Sequence, residues 1–278
     1  MKLDSSNPPV YLPQKEQQSV LRLGFENCAA EQWLFPAIDL AVFHQHKTAL
    51  SRSTKECFFA QTPESSKAQG EFHDFLLDHL LQHSTLGYRK IGERLVHERE
   101  GLSWNLAERT LWLASLWIAE DICLLQESPK GYIMTAASVC APSNWLLENK
   151  IGRSVDSIHE PVPDYDKVLS DRVNRFLHGL RSGRVMLRYN WSIQWGNELF
   201  WRDHKSVILD PTDNGEQRYW RVERQTFIRL PNSGAIVFGI RIFLHSFESL
   251  QGQEEFNSSI EQLLSQLPKA QKQYKGLA

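Results

Sequence analysis

The residues best suited to chemistry lie in Asn144–Tyr165, NWLLENKIGRSVDSIHEPVPDY. His159 stands just before Glu160-Pro161-Val162-Pro163. Each proline fixes its own φ and biases the residue before it, here Glu160 and Val162, out of the α region. A histidine at the last flexible position before such a stiff extended step is aimed by its backbone, as a metal ligand must be. The competing reading is a histidine that only caps a turn. Lys150 and Arg153 precede it and could clamp an anionic group, or form an ordinary solvated charge run.

A second constellation sits in the alternating run Trp220–Leu230. Strict alternation puts Glu223 on one face with Gln225 and Phe227, flanked by Arg221 and Arg229. A carboxylate there can accept a hydrogen bond or a proton from a nitrogen; a surface Glu–Arg pair of little energetic weight is the alternative. Arg224 falls on the opposite face with Val222, Ile228 and Leu230, and an arginine among apolar neighbours requires a fixed anion. Arg188, beside Asn190 on the less apolar face of its own strand, is a further candidate for the same pocket. Of the ten histidines, His178 on a helical stretch is the other possible ligand, whereas His73, His79 and His83 are predicted to face solvent.

These side chains need a frame. Residues 1–20 read as a tail, Ile38–Phe43 begin a helix after Pro36, and Cys57–Gln69 is loop-like. Glu71–Gln82 places Phe72, Phe75, Leu76 and Leu80 along one helical face. Ser103–Ala119, dense in Trp and Leu, predicts a largely buried helix. The period then changes: ICLLQ and YIMTAASVCA form a hairpin about the Ser128–Gly131 turn. Helical turns follow over Asn144–Ser157, then an amphipathic helix over Asp166–Leu180 ended by Gly179 and Gly183. Val185–Ile193 and Trp220–Leu230 alternate, with a polar excursion over Asn197–Gln217 between them. Ala235–Leu244 is apolar on both faces and predicts a covered central strand, and Glu254–Leu267 a closing helix. The expected fold is α+β: an N-terminal tail and helical portion (1–104), then an antiparallel sheet with a ligand chamber (105–278), packed as one unit and closed by a C-terminal helix. Two strands, helices, then three strands is the layout of a PAS-type sheet.

Composition narrows the field. With 31 Lys+Arg against 33 Asp+Glu the net charge is −2, so no bulk field draws the chain to nucleic acid or an anionic membrane. None of the four cysteines forms a C-x-x-C pair, which excludes zinc-ribbon and iron–sulfur spacings. Cys123 and Cys140 are expected as buried free thiols. No apolar run approaches bilayer length and the polar opening is no secretory leader, so the expected setting is cytoplasmic and reducing. Nine tryptophans suit a fold that encloses a flat apolar ligand, or simply a well-packed core.

Several phrases together carry a resemblance: EDICLL (Glu120–Leu125), APSNW with KIGRSVDSIHEPVP (Ala141–Pro163), RYNWSI (Arg188–Ile193), RVERQTFIRLPNSGAIVFGIRIF (Arg221–Phe243) and the terminal YKG (Tyr274–Gly276). From about Gly24 onward the chain resembles the haem-dependent oxidative N-demethylase family. Phe227 and Phe243 stand where the pattern leads one to expect Leu and Tyr, which bears on pocket lining rather than fold. The resemblance implies a PAS-like domain holding haem b that removes a methyl group from a small secondary amine such as dimethylamine with O2, releasing formaldehyde. It implies His159 as axial iron ligand, with His178 the alternative, and Glu223 and Arg188 as catalytic-site residues. Arg224, Lys150 and Arg153 become candidates for haem contacts. Electrons are expected from a separate flavin and iron–sulfur, ferredoxin-like partner. The competing readings are a PAS-type sensor of a gas or small ligand, and a haem-free scaffold.

Overall fold

The structure is a computed structural model that describes residues 11–12, 23–36, 38–53, 57–201 and 218–274. Most of the expected tail, residues 202–217 of the polar excursion, and residues 275–276 of the terminal motif lie outside the described residues.

A seven-stranded antiparallel sheet forms the centre. Its strands are β1 (Glu26–Cys28), β2 (Phe59–Gln61), β6 (Asp121–Ser128), β7 (Gly131–Ser138), β8 (Val185–Trp195), β9 (Arg218–Arg229) and β10 (Ile236–Ser246), in the order β1-β8-β9-β10-β6-β7-β2. The strand predicted to be covered on both faces, β10, occupies the middle of that order. The N-terminal portion contributes both edges, β1 against β8 and β2 against β7. A separate three-stranded sheet joins β3 (Tyr88–Ile91), β4 (Arg94–His97) and β5 (Leu102–Asn105). Helices α1 (Leu40–Ser51), α2 (Ser66–Gln82), α3 (Leu111–Ser115), α4 (Val155–His159), α5 (Tyr165–Val168), α6 (Ser170–Gly179), α7 (Phe247–Leu250), α8 (Glu254–Gln266) and α9 (Lys269–Tyr274) complete the described elements.

The two faces of the large sheet are covered differently. Trp33 and side chains of α1, α2 and α3 bury Ile122, Leu124, Ile228 and Val237 on one face, while α7 and α8 cover Trp191, Trp220, Val222 and Phe243 further along it. On the other face Cys123, Leu125, Phe227 and Ile236 meet Leu147, Val155, Ile158 and Leu177 from the segment between β7 and β8. Register places Arg188 opposite Gln225 and Asn190 opposite Glu223, so all four project onto this second face.

Three expectations are corrected. Ser103–Ala119 is not one helix: Trp104 belongs to β5, and only Leu111–Ser115 is helical. Asn105 Oδ1 accepts from Ala107 N at 2.8 Å and Thr110 Oγ1 accepts from Leu113 N at 3.3 Å, so an Asx turn and a fresh N-cap interrupt the apolar run. The helical turns expected over Asn144–Ser157 are present as a 3-10 turn (Leu147–Asn149) and the start of α4 at Val155. His73 and His79 do not face solvent: they are 2% and 8% exposed, edge-on to Trp117 and Trp33. Finally, Glu160 is helical (φ −47, ψ −38) in spite of Pro161. A tight turn, with Val162 N donating to His159 O at 2.8 Å, replaces the expected extended corner.

Candidate functional site

His159 is the last residue of α4, and α4 exists because its ends are satisfied. Ser154 caps the start, its Oγ accepting from Ser157 N at 3.2 Å. Lys150 Nζ closes the end by donating to Ile158 O at 2.9 Å. Within this turn His159 Nδ1–H donates to Val155 O at 2.8 Å, and the ring stacks on Tyr165 with centroids 4.9 Å apart and 11° between planes. A carbonyl can only accept, so the proton is on Nδ1 and the lone pair on Nε2. The half-buried ring is held below the usual histidine pKa, chiefly by burial, with the charges of Arg188 and Lys150 adding to the effect and the Val155 bond opposing it. Nε2 has no hydrogen-bond partner among the described residues. The helix and this local bond, not an extended proline step, aim the imidazole.

Behind it lies the floor of the sheet. Asn190 Nδ2 donates to Glu223 Oε2 at 3.1 Å and Gln225 Nε2 donates to the same oxygen at 2.9 Å. Arg221 Nε lies 3.6 Å from Oε1, and the Glu223 side chain is 15% exposed. Arg221 is itself fixed from behind, donating to Gln194 Oε1 at 3.0 Å and to Ala141 O. Arg188 lies over Phe25 at 5.8 Å, and its buried Nε has no hydrogen-bond partner. Burial lowers its pKa while the negative charge of Glu223 raises it. The field of Arg188 also reaches His159, so imidazole, guanidinium and carboxylate form one electrostatic neighbourhood.

Among the other candidates, Lys150 serves α4 as described. Arg153 is exposed, and its backbone O accepts from Met134 N at 3.0 Å, docking the segment on β7. Arg224, 4% exposed on the opposite face, donates to Trp33 O at 3.0 Å and to Gln32 O. Backbone carbonyls thus answer its need for an acceptor. The His178 side chain is 77% exposed beside Glu127, 3.5 Å away. The sequence reading missed Asp156, which accepts from Tyr165 Oη (3.2 Å), Ser170 Oγ (2.8 Å) and Asn174 Nδ2 (2.9 Å) and so ties α4 to α5 and α6. An aspartate in the first turn of a short helix was its only signal. A cleft of about 580 Å³ on the α2 side, lined by Glu71, Asp74, Arg109 and Asn232, lacks this chemistry. There Glu71 is engaged by the Asn232 and Ser233 amides and Asp74 by Arg109.

Fold and side chains together define an α+β protein in which a half-buried imidazole with an unpartnered Nε2 lies within the field of Arg188, a residue of the sheet face that also carries Glu223. The chain belongs to the haem-dependent oxidative N-demethylase, alpha subunit-like family, whose sequence model matches residues 24–278. That span takes in both edge strands and every element of the site. It is a family of haem-dependent oxidative enzymes. Among the described residues no helix is long and apolar enough to cross a membrane.

Proposed function

We propose that this chain holds haem b on His159 Nε2 in a PAS-like domain and oxidatively removes a methyl group from a small secondary amine. The observation that carries the reading is the state of His159: neutral, Nδ1 engaged, Nε2 lone pair unused. Haem iron asks for one such axial donor. No group of three or more His, Cys, Asp or Glu side chains converges as a metal cage among the described residues. The unfilled Nε–H of Arg188 suits a propionate, and so this residue set fits the group.

Haem bound there would supply O2 activation, with the balance R–NH–CH3 + O2 + 2 e⁻ + 2 H⁺ → R–NH2 + CH2O + H2O. The protein's part is binding and proton handling. Glu223, with Oε2 taken by two amides, presents Oε1 to an amine N–H. Accepting the proton of an incoming ammonium leaves the nitrogen lone pair neutral. The apolar rings of Phe227 and Phe238, stacked at 4.6 Å, favour a small alkyl amine over a hydrated one. The two electrons come from a separate flavin and iron–sulfur partner.

Haem reconstitution tests this directly. Wild type is expected to show a Soret band that shifts with dimethylamine, and reduced protein with O2 to yield formaldehyde. His159→Ala is expected to lose the Soret band while keeping its thermal midpoint. A Soret band that survives in His159→Ala overturns the ligand assignment. A haem protein that neither responds to amines nor yields formaldehyde is a sensor instead.

A further inference from the structure

Charge in this chain is unevenly placed. Ser170–Arg184 (SDRVNRFLHGLRSGR) carries four arginines and one aspartate, whereas 33 acidic residues outnumber 31 Lys+Arg overall. Arg172 and Arg175 are exposed on α6, and Arg181 and Arg184 on the turn into β8. None of the four makes an ion pair or side-chain hydrogen bond among the described residues, while His178 between them lies beside Glu127.

The frame beneath these arginines is fixed. Phe176 stacks on Phe25 with centroids 3.6 Å apart and meets Phe227 edge-on at 5.4 Å. Arg229 donates to Leu177 O and Leu180 O, each at 2.6 Å, closing the end of α6. Ser182 Oγ donates to Arg229 O at 3.0 Å, which pins the turn to β9. The other end of α6 is held to α4 through Asp156. The inner side of this helix covers the hydrophobic cluster that Val155 and Ile158 of α4 also enter. Its outer side carries Arg172 and Arg175, with Arg181 and Arg184 on the adjoining turn, as a preset cationic strip on the element that Asp156 ties to α4.

The geometry points to this strip as the docking surface for an acidic electron-carrier protein. The inference rests on the function proposed above, which needs two external electrons. The chain has no C-x-x-C pair to hold an iron–sulfur centre of its own. Four separate guanidiniums suit carboxylates presented at fixed spacing.

The probe is a plant-type [2Fe–2S] ferredoxin, chosen for its acidic surface. Pre-reduced ferredoxin is mixed in a stopped flow with the ferric haem protein, and its binding is measured separately by calorimetry at low and raised salt. The variant R172E/R175E/R181E/R184E is expected to lose about tenfold or more in reduction rate at low salt. Its Soret band, its reduction by dithionite and its thermal midpoint are expected to stay as in wild type. Equal rates in variant and wild type, no salt dependence, or no ferredoxin binding would overturn the proposal. Binding lost only to phosphatidylserine vesicles assigns the strip to a membrane and overturns it equally. If no haem is taken up, the functional reading fails, yet calorimetry still decides the strip: ferredoxin binding abolished by the variant sustains it.

Discussion

His159 and Glu223 are left able to react by opposite means. The imidazole is stripped of charge by burial and of one nitrogen by Val155, so only a lone pair remains for a partner. The carboxylate is surrounded by donors, yet two of them crowd one oxygen, Oε2, and Arg221 approaches the other only to 3.6 Å. Glu223→Gln keeps an oxygen for Asn190 and Gln225 but turns an amide NH2 toward the Arg221 guanidinium, donor against donor. A charge-assisted hydrogen bond is worth about 1.5–3 kcal/mol, so amine affinity is expected to fall about 10- to 100-fold. Titrating dimethylamine against the haem spectrum of the variant measures it. An unchanged titration would remove Glu223 from the amine site.

At the scale of elements, the five-residue α4 cannot persist on its own helical propensity. Ser154 and Lys150 satisfy its ends, and Asp156 lashes it to α5 and α6 with three bonds. Asp156→Ala leaves three donors short of an acceptor and is expected to destabilise the fold by about 2–3 kcal/mol. It should also weaken haem uptake, because His159 loses its fixed frame; urea unfolding and haem titration read the two effects separately. Asp156→Asn, which can still accept, is expected to recover part of both. Haem uptake unaltered in the alanine variant would mean that α4 holds its place without α6. The same elements show what was legible in the sequence. Alternation in β8 and β9 and the two-faced apolar run of β10 are local periods, and they read correctly. The short strands YRKI and RLVH carry no period and many charges, so the three-stranded sheet was invisible. Trp and Leu were dense enough over Ser103–Ala119 to mimic a buried helix, although Asn105 and Thr110 carried the break. His159 stood out through its prolines, yet Glu160 stays helical, so what holds its ring is the α4 turn and not an extended proline step. The Asn190–Glu223 bond depends on strand register, which no single strand encodes.

Over the whole molecule, burial of imidazole sets how stability responds to acid. His44, His46, His79, His97, His159 and His245 are all held below the ordinary histidine pKa, each chiefly by burial. For His79 and His245 the value falls to about 4. The unfolded chain, with histidines near 6.5, takes up protons that the folded chain refuses. These groups therefore stabilise fully above about pH 6.5, and their contribution is lost as the pH falls toward 4. Asp121 acts in the opposite sense, since burial raises its pKa and the folded chain holds that proton more readily. From His79 and His245 alone, unfolding near pH 5 should take up about two protons. Urea midpoints should accordingly drop steeply from about pH 7.5 to about pH 5. His79 isolates one share of this slope. It packs edge-on to Trp33 at 4.8 Å, its Nε2 is buried without a partner, and nearby His83 lowers its pKa further while Glu31 opposes. In His79→Leu an apolar side chain replaces the ring, so the pH slope should flatten by close to one proton while the neutral-pH midpoint holds or rises. A variant whose slope stays as steep as wild type would move the acid sensitivity to the other buried histidines.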